Sequence, residues 1–404
     1  MLVRRSFLLF IATIPFETIV LPVLPGFLSP AKISGLLFFG CCLLYPKTCF
    51  SRPTPPVLWF SGYLTIFLVF GALIPAELRG SLRTPFLTLV QLVALFWLSS
   101  SLLQNSMLAR RSLLTFGAAA SGLALATLLR LPGFDVTTRA GGGLGGEALR
   151  ATPLGYDPNS LAGVLGVGAV MLIGLLLDNT KRTRRRAWFL AGLTLPLLVL
   201  LVSTSSRGGL VAFILGASLF LIPLAPSRRR IASFLLGVFA LIAVGAMAAR
   251  DPVSAARWNQ TYQGGNVAGR DNIFAQARRM FLERPILGWG PVEFLYELGS
   301  RTNRITKDPH SMYVWLVLEV GLVGALCFLT GVWLCLRAAW KARTGPEGIL
   351  ALALMIEVLV INLSITWLAR KTMWFVFALA LAAPAVLPLW RRKQVSRSTL
   401  PARP

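Results

Sequence analysis

The feature that most constrains this chain is a succession of apolar runs, each about 17 to 25 residues long. A run of that length crosses the roughly 30 Å hydrocarbon core of a bilayer as an α-helix. Irregular backbone that faces lipid leaves its hydrogen-bonding groups unpaired, so helices are the structure that these runs predict. Only 14% of the residues are charged, whereas a soluble domain carries about 25%. We therefore predict an all-α polytopic membrane protein.

The positions of the runs predict about twelve transmembrane helices. Their ranges are 7–24, 31–46, 57–75, 85–103, 112–131, 158–178, 187–203, 208–226, 231–248, 311–338, 348–368 and 372–390. Nine spans thus fall in residues 1–248 and three in 310–392, separated by one large segment at 249–309 and followed by a tail at 393–404.

Lysine and arginine predict the orientation, because connections on the cytoplasmic side of a membrane protein are enriched in them. Alternate connections, counted from the N-terminus, are all basic. They contain Arg4 and Arg5, Lys47 and Arg52, Arg110 and Arg111, Lys181 to Arg186, Arg228 to Arg230, Arg337 to Arg343, and Arg391 to Arg403. Both termini are therefore expected in the cytoplasm, and segment 249–309 in the periplasm. No small-residue cleavage site follows Leu24, so the first helix is expected to remain as an anchor.

The cysteines agree with this orientation. Each lies in a predicted span or in an inside connection, away from the oxidising periplasm. No disulfide framework and no cysteine spacing typical of a metal site is expected.

The large segment 249–309 is rich in arginine, which supplies every cation in it except Lys307. Arginine presents a planar fork that suits phosphate oxygens, whereas lysine is a point charge. Any one of these arginines could simply face lipid headgroups. Further arginines are predicted on the same side, namely Arg79, Arg83, Arg130, Arg139, Arg150, Arg207 and Arg370. The whole set favours a phosphate-bearing lipid as ligand.

Within this segment, residues 271–283 have the apolar spacing of an amphipathic helix. Asp271 is placed to cap its start, and Pro285 ends it. Arg278 and Arg279 fall opposite the apolar stripe, as expected of a helix on the bundle or membrane surface. The glycine-rich ILGWGP at 286–291 follows and permits close backbone approach. A second glycine-rich stretch, AGGGLGGE at 140–147, is read equally well as a mobile flap or as a disordered loop.

His310 is the single histidine of the chain. Asp308 suits a helix N-cap and Pro309 the first helical position, which predicts that His310 lies in the first turn of the tenth span. The helix dipole and the nearby arginines would disfavour its protonated form. A neutral imidazole can accept a proton, so His310 is a candidate general base. A solvated loop histidine is the alternative interpretation.

Three stretches together resemble the O-antigen ligase and polymerase family. They are STSSRGGL at 203–210, GRDNIFAQARRMFLERPILGWGPVEF at 269–294, and DPHSMYVWLVLEVGLVGAL at 308–326. The resemblance covers about the C-terminal half of the chain. It implies a glycosyltransferase that acts on the periplasmic side of the bacterial inner membrane during lipopolysaccharide synthesis. At the residue after the histidine the family often has asparagine, whereas this chain has Ser311.

The resemblance also implies the substrates and the site. The donor would be a glycan linked to undecaprenyl diphosphate, and the acceptor of a ligase would be lipid A-core. Carried over by position, the catalytic residues are His310, Arg207 and Arg270. The remaining substrate-binding candidates are arginines of the outer side: Arg79, Arg83, Arg278, Arg279 and Arg284. Membrane lipids complete the expected partners, and no nucleic acid is expected.

The chemistry of the residues is consistent with this reaction. Nucleotide sugars are absent outside the inner membrane, so a transferase there needs a donor that carries its own leaving group, such as a lipid diphosphate. Preorganised arginines can stabilise the charge that builds on that group, and His310 can take the proton of the acceptor hydroxyl. Such a direct displacement inverts the anomeric centre. No metal or other cofactor is implied, and residues 24–31 lack the acid that some membrane glycosyltransferases use in their first outer loop.

Three functions stay open. A ligase is favoured because only segment 249–309 is both long and strongly basic, whereas family polymerases commonly have two such loops. A polymerase that joins lipid-linked repeat units is the alternative, since Arg279 and Gly290 have a spacing reminiscent of a polymerase motif. A flippase or transporter of lipid-linked glycans is the third and least favoured function. Transporters often have paired interrupted helices, and no such pattern is evident in the sequence.

Overall fold

The computed structural model describes residues 1–19, 29–134, 138–139, 149–150, 153–177, 183–221, 238, 242, 244–264, 270–344 and 348–386. Within these ranges the chain is helical apart from turns, connections and a short antiparallel pair of two-residue strands, Thr138–Arg139 and Leu149–Arg150. The α-helices are α1 (Leu2–Thr13), α2 (Pro30–Leu44), α3 (Pro46–Cys49), α4 (Pro55–Leu73), α5 (Ala76–Arg79), α6 (Arg83–Leu102), α7 (Ser106–Leu128), α8 (Pro158–Leu177), α9 (Arg184–Ser203), α10 (Arg207–Ser218), α11 (Pro252–Gly264), α12 (Arg270–Glu283), α13 (Glu293–Arg301), α14 (Met312–Ala342), α15 (Leu350–Ile361) and α16 (Lys371–Ala382).

Among the described residues, six helical stretches are long and apolar enough to cross a membrane. They are Pro55–Leu73, Ala76–Leu102, Ser106–Leu128, Pro158–Leu177, Arg184–Ser203 and Met312–Ala342. Each coincides with a span predicted from the sequence. The chain is therefore an integral membrane protein whose described residues are predominantly helical.

The other six predicted spans are shorter in the structure or fall partly outside the described residues. Four appear as shorter apolar helices: Pro30–Leu44, Arg207–Leu221, Leu350–Ile361 and Lys371–Ala382. The first predicted span begins earlier than expected, at Leu2, and its α-helix ends at Thr13. Most of the ninth, at 231–248, lies outside the described residues. The total of twelve spans stays a prediction.

Helix α8 lies at the centre of the bundle, where it packs against α7, α9, α10 and α15. Its glycines let neighbouring side chains approach its backbone, as is typical of membrane helices. A Cβ added at Gly163 would overlap the ring of Trp367, and one at Gly174 would lie 2.5 Å from Leu350 Cδ1. This close packing fixes the connection that follows α15 against the start of α8.

Segment 249–309 contains α11, α12 and α13. The amphipathic helix predicted there is confirmed as α12, whose Ile273, Ala277 and Met280 are buried. These residues pack with Phe294 and Leu318, so α12 and α13 are anchored on the first half of α14. The prediction that Asp271 is the N-cap of this helix was wrong. The helix already begins at Arg270, and Asp271 lies in its first turn, where the helix dipole favours a carboxylate.

Helix α14 is interrupted at Val320 and Gly321, where Gly321 adopts φ +59°. The glycine-rich turn 285–290 fills the break. Trp289 N–H donates to Leu318 O at 2.8 Å and Gly290 N–H to Glu319 O at 3.0 Å, while Leu322 N–H donates to Pro285 O at 2.9 Å. The turn thus pairs backbone groups that the break would leave unsatisfied inside the bundle. The glycines of ILGWGP permit this contact, because a Cβ at Gly288 would lie 2.6 Å from the backbone nitrogen of Gly321.

Candidate functional site

The turn between α9 and α10 positions Arg207. Ser205 takes a left-handed conformation with φ +49°, which reverses the chain within three residues. Ser206 then caps α10, since its hydroxyl accepts from Gly209 N–H at 3.2 Å and donates to Asn159 Oδ1 at 2.8 Å. Arg207 is therefore the first residue of α10, at the electropositive end of the helix.

Two glycines after Arg207 bring α10 into contact with its neighbours. A Cβ at Gly208 would overlap Ser364 Oγ, and a Cβ at Gly209 would overlap Ala162 Cβ of α8. No larger residue fits without displacing α10. The sequence Arg-Gly-Gly thus lets the start of α10, with Arg207, pack directly against α8 and the connection after α15.

Helix α11 brings a second arginine, Arg257, to the first. The Nη1 atom of Arg207 donates to the backbone oxygen of Arg257 at 2.8 Å. Asp251 ties the two helices together, because its carboxylate accepts from Ser254 N–H at 2.7 Å and from Ser205 Oγ at 3.2 Å. Arg207, at the start of α10, is thus held by a hydrogen bond to the backbone of Arg257, which lies within α11.

Arg270, the first residue of α12, completes a cluster of three guanidinium groups. Burial lowers the pKa of Arg257, and repulsion from Arg207 and Arg270 lowers it further. Burial likewise lowers the pKa of Arg270. The carboxylate of Asp157 raises that pKa, and repulsion from Arg207 lowers it. Arg257 thus lies within electrostatic range of both other arginines, and its backbone oxygen is in direct contact with Arg207. A concentration of positive charge that is only partly neutralised favours an anionic ligand.

His310 lies next to this cluster, but the helix start predicted around it was wrong. Helix α14 begins at Met312, and Ser311 is its N-cap. His310 stands before the helix in the left-handed conformation, with φ +53°. Its N–H donates to Asp308 Oδ1 at 2.6 Å, so Asp308 closes a turn rather than capping α14.

The connection after α15 explains this displacement. Met312 N–H donates to the carbonyl oxygens of Asn362 and Ile365, at 3.0 and 3.2 Å, which fixes the helix start there. Thr366 Oγ1 donates to Asp308 Oδ1 at 3.0 Å and holds the turn in place. The imidazole of His310 is 41% exposed, so a substrate can reach it.

Partial burial is the largest effect on His310 and lowers the pKa of its imidazole below the ordinary value of 6.5. The carboxylate of Asp308, with Oδ1 4.0 Å from Nδ1, opposes this shift. Arg270 and Lys307 lower the pKa further. The predicted neutral imidazole is thus supported, although its cause is burial and nearby cations rather than a place in the first helical turn. A neutral ring can accept a proton at pH 7.

Arg270 lies within electrostatic range of both Arg207 and His310, whereas the other predicted arginines are not among the groups that affect them. Arg79, Arg83, Arg278, Arg279 and Arg284 are all exposed. Arg79 Nε donates to Ile74 O at 3.2 Å, and Arg284 stacks over Trp289 with Cζ 4.1 Å from the ring centroid. Their contact with substrate stays a prediction.

Several charges of segment 249–309 form structural pairs. Arg284 lies 3.7 Å from Glu293, and Arg301 pairs with Glu283 and Glu297 at 2.7 and 2.6 Å. Glu293 and Glu297 are thus each paired with an arginine. These pairs hold α12 and α13 side by side.

Arg370 is also engaged in a structural pair. It lies 3.3 Å from Glu17, whose carboxylate is nearly buried and also meets Lys371 at 3.5 Å. This pair joins the end of the first helical segment to the start of α16. Arg370 therefore does not belong to the cluster of guanidinium groups.

Sequence reasoning did not single out Arg257 or Asp157. Arg257 appeared only as one of several cations in segment 249–309, because no periodicity or motif distinguishes it. Asp157 caps α8, with Oδ1 accepting from Asn159 N–H at 2.9 Å and from Ser160 N–H at 3.0 Å. Its Asp-Pro-Asn-Ser context is a helix-start signal that could have been recognised.

Comparison with known proteins identifies a family that part of the chain resembles. No curated protein matches the chain. A family model described as O-antigen ligase matches residues 192–329. The matched segment contains all three clustered arginines and His310. Residues 192–329 of this chain are thus similar to the O-antigen ligase family.

Proposed function

We propose that this protein is a glycosyltransferase that moves a glycan from undecaprenyl diphosphate to a sugar hydroxyl of lipid A-core on the periplasmic side of the inner membrane. The meeting of Arg207, Arg257 and Arg270 beside His310 carries the proposal. The cluster offers an anion site and a neutral base within one region. Both are required by a transfer from a diphosphate to an alcohol.

In the proposed reaction the acceptor oxygen attacks the anomeric carbon of the donor sugar. The bond between that carbon and the phosphate oxygen breaks, and its electron pair leaves with the diphosphate. The three guanidinium groups stabilise the charge on the leaving diphosphate. His310 takes the proton of the acceptor hydroxyl. Because attack and departure occur on opposite faces, the anomeric configuration inverts.

Arg257 enters the proposal alongside the two arginines expected from the sequence. Its backbone oxygen already holds Arg207, and its own side chain lies in the field of both other guanidinium groups. Partial burial of like charges beside one another is unfavourable. A bound diphosphate would remove that repulsion, which supports a clamp of three arginines rather than two.

A polymerase that joins lipid-linked repeat units uses the same donor chemistry and differs in its acceptor. The cluster itself is compatible with either acceptor. We favour the ligase because segment 249–309 is the one long and strongly basic connection in the sequence. The product of the reaction distinguishes the two.

Transport of the lipid-linked glycan is the weaker alternative. Transporters use interrupted helices to line a site near the middle of the membrane. The break in α14 is instead filled by turn 285–290, whose backbone groups pair with those of Leu318, Glu319 and Leu322. An interruption that is closed by backbone hydrogen bonds does not favour a transport site.

The test is reconstitution of the purified full chain with an undecaprenyl-diphosphate-linked glycan and lipid A-core. A ligase forms a core-linked product of higher mass, whereas a polymerase forms longer lipid-linked chains in the absence of core. Absence of both products from well-folded protein, together with movement of the donor across vesicles, would instead indicate transport.

Arginine variants test the cluster. Changing Arg207, Arg257 or Arg270 to alanine should each lower the rate by about 10² to 10³, the usual loss when a group that stabilises developing negative charge is removed. Lysine at the same positions should restore only part of the rate, because the fork is lost. Arg337→Ala is the matched control, since Arg337 is exposed at the far end of α14. Full activity in all three alanine variants would place the diphosphate elsewhere.

A further inference from the structure

Two adjoining cavities open where α7 and α9 begin. The first has a volume of about 600 Å³ and lies between the starts of α1 and α7. The second has about 520 Å³ and lies between the starts of α7 and α9. Met107 and Arg111 line both, so the cavities are neighbours. They lie on the predicted cytoplasmic side.

This pair of cavities is far from the arginine cluster. Arg186 lines the second cavity near the start of α9, whereas Arg207 follows the opposite end of that helix. A helix of 20 residues spans about 30 Å at 1.5 Å per residue. The cavities therefore belong to a separate site.

Five arginines from three helices line the cavities. They are Arg4 and Arg5 of α1, Arg110 and Arg111 of α7, and Arg186 of α9. Among the described residues that line either cavity, none is acidic. Polar groups of Tyr45, Thr48 and Ser101 line the first cavity as well. The lining is thus suited to an anion.

The helix dipoles strengthen this field. Arg4, Arg5 and Arg186 lie in the first turns of α1 and α9, and Arg110 and Arg111 lie one turn into α7. None of these three helices has an acidic residue in its first turn. Cations at helix N-termini are unfavourable, because the dipole is positive there. A bound anion would relieve the repulsion of both the side chains and the dipoles.

Most of the remaining lining is apolar. Leu8, Leu108 and Leu114 form parts of the walls, and Leu175, Phe189 and Leu190 close the second cavity. Orientation in the membrane requires only that cations lie near the helix ends and does not require them to converge on a concave surface. Apolar walls beside converging arginines match a ligand that has both a phosphate and an acyl chain.

We propose that these cavities bind the phosphate of an anionic membrane lipid, with its acyl chains against the apolar walls. Arg111 lies at the centre of the site because it faces both cavities. Arg4 and Arg5 bind from one side, and Arg110 and Arg186 from the other. The lipid would join the starts of α1, α7 and α9 on this side of the bundle.

Native mass spectrometry of the purified full chain tests this site, with phosphatidylglycerol and phosphatidylcholine as probes. Wild type should bind phosphatidylglycerol more tightly than phosphatidylcholine. The variant Arg5→Gln with Arg111→Gln should weaken binding of phosphatidylglycerol about tenfold or more, since two hydrogen bonds to a charged group are lost. Binding of phosphatidylcholine should not change. Arg337→Gln, which removes one exposed cation outside both cavities, should bind as wild type does.

Folding and orientation are controlled by a second variant, Arg5→Lys with Arg111→Lys. It keeps the positive charges that orient the helices and should lose part of the binding, because the planar fork is absent. Both double variants should keep the wild-type rate of glycan transfer. Lipid binding is measured separately from that reaction, so this test stands even if the proposed transfer is not observed. Equal binding of phosphatidylglycerol by wild type and the glutamine pair would overturn the proposal. Displacement of the lipid by glycerol 3-phosphate at equal concentration would exclude a lipid as the ligand.

Discussion

The single histidine is the residue on which the proposed chemistry depends most. His310 adopts a backbone conformation with φ +53°, which is uncommon for a residue that has a Cβ. Hydrogen bonds from His310 N–H and Thr366 Oγ1 to Asp308 Oδ1 hold it there. Non-glycine residues in such conformations cluster at functional sites, where the surrounding structure maintains them. The position of His310 beside the guanidinium cluster fits that pattern.

The first prediction concerns the role of His310 as general base. His310→Ala should bind the donor but transfer the glycan about 10² to 10⁴ times more slowly, the usual contribution of such a base. His310→Gln should be similarly slow, because an amide can form a hydrogen bond but cannot accept the proton. Initial rates and donor binding would be measured separately in detergent. A near-normal rate for the glutamine variant would show that His310 only positions the acceptor.

The second prediction concerns pH. A general base works in its neutral form, so the rate should fall as His310 becomes protonated. Since its pKa is lowered from 6.5, that fall should be centred below pH 6.5. Asp308→Asn removes a charge that raises the pKa, so the fall should move to lower pH. Lys307→Gln removes a charge that lowers the pKa, so the fall in rate should move to higher pH.

Rate profiles against pH for wild type and these two variants check the assignment. Arg304→Gln is a matched control for the lysine change, because Arg304 is exposed nearby and is not among the groups that shift the pKa of His310. Identical profiles in all four proteins would show that the titrating group is not His310.

At the scale of the elements, the break in α14 is the feature on which the site depends. Turn 285–290 follows α12, which begins with Arg270, and it is bonded to both sides of the break. The first half of α14 begins next to His310. The break thus couples the helix that carries an arginine of the cluster to the helix that follows the histidine.

The third prediction is that Gly321→Ala destabilises the protein. A Cβ at Gly321 would overlap Ile286 O, and the backbone has a positive φ that alanine rarely adopts. The strain alone should cost about 1 to 3 kcal/mol, so the midpoint of thermal unfolding in detergent should fall. Gly122→Ala is the control, because open space surrounds that position within α7. It should be neutral or slightly stabilising, since alanine favours helices by about 1 kcal/mol over glycine. An unchanged midpoint for Gly321→Ala would show that turn 285–290 does not depend on this close approach.

At the scale of the whole molecule, the bundle separates two cationic regions. The guanidinium cluster lies after the end of α9, and the cavities lined by Arg111 and Arg186 lie at its start. The predicted orientation assigns the first region to the periplasm and the second to the cytoplasm. Donor chemistry and lipid binding would then occur on opposite sides of the membrane.

The fourth prediction tests that orientation. A reporter fused at Arg185 should read cytoplasmic, because basic connections are retained on that side. A reporter fused at Asn303, in the connection between α13 and α14, should read periplasmic. Alkaline phosphatase and a fluorescent protein serve as the two reporters, since the first is active only outside and the second only inside. A cytoplasmic result at Asn303 would contradict the proposed location of the active site.

The amino-acid sequence by itself determined the elements that depend on local pattern. Apolar runs predicted the helical membrane bundle, because length and hydropathy suffice for a membrane helix. Apolar spacing predicted α12 within one residue of its observed start.

Only the tertiary structure decided how distant residues meet. The contact between Arg207 and Arg257 joins positions 50 residues apart, and that between Asp308 and Thr366 joins positions 58 apart. The expected helix start at His310 failed for the same reason. Carbonyl groups of Asn362 and Ile365 bind the N–H of Met312, and Asp308 accepts from Thr366 instead of capping α14. Local capping preferences amount to about 1 kcal/mol, so hydrogen bonds from packed neighbours, which no local pattern encodes, override them.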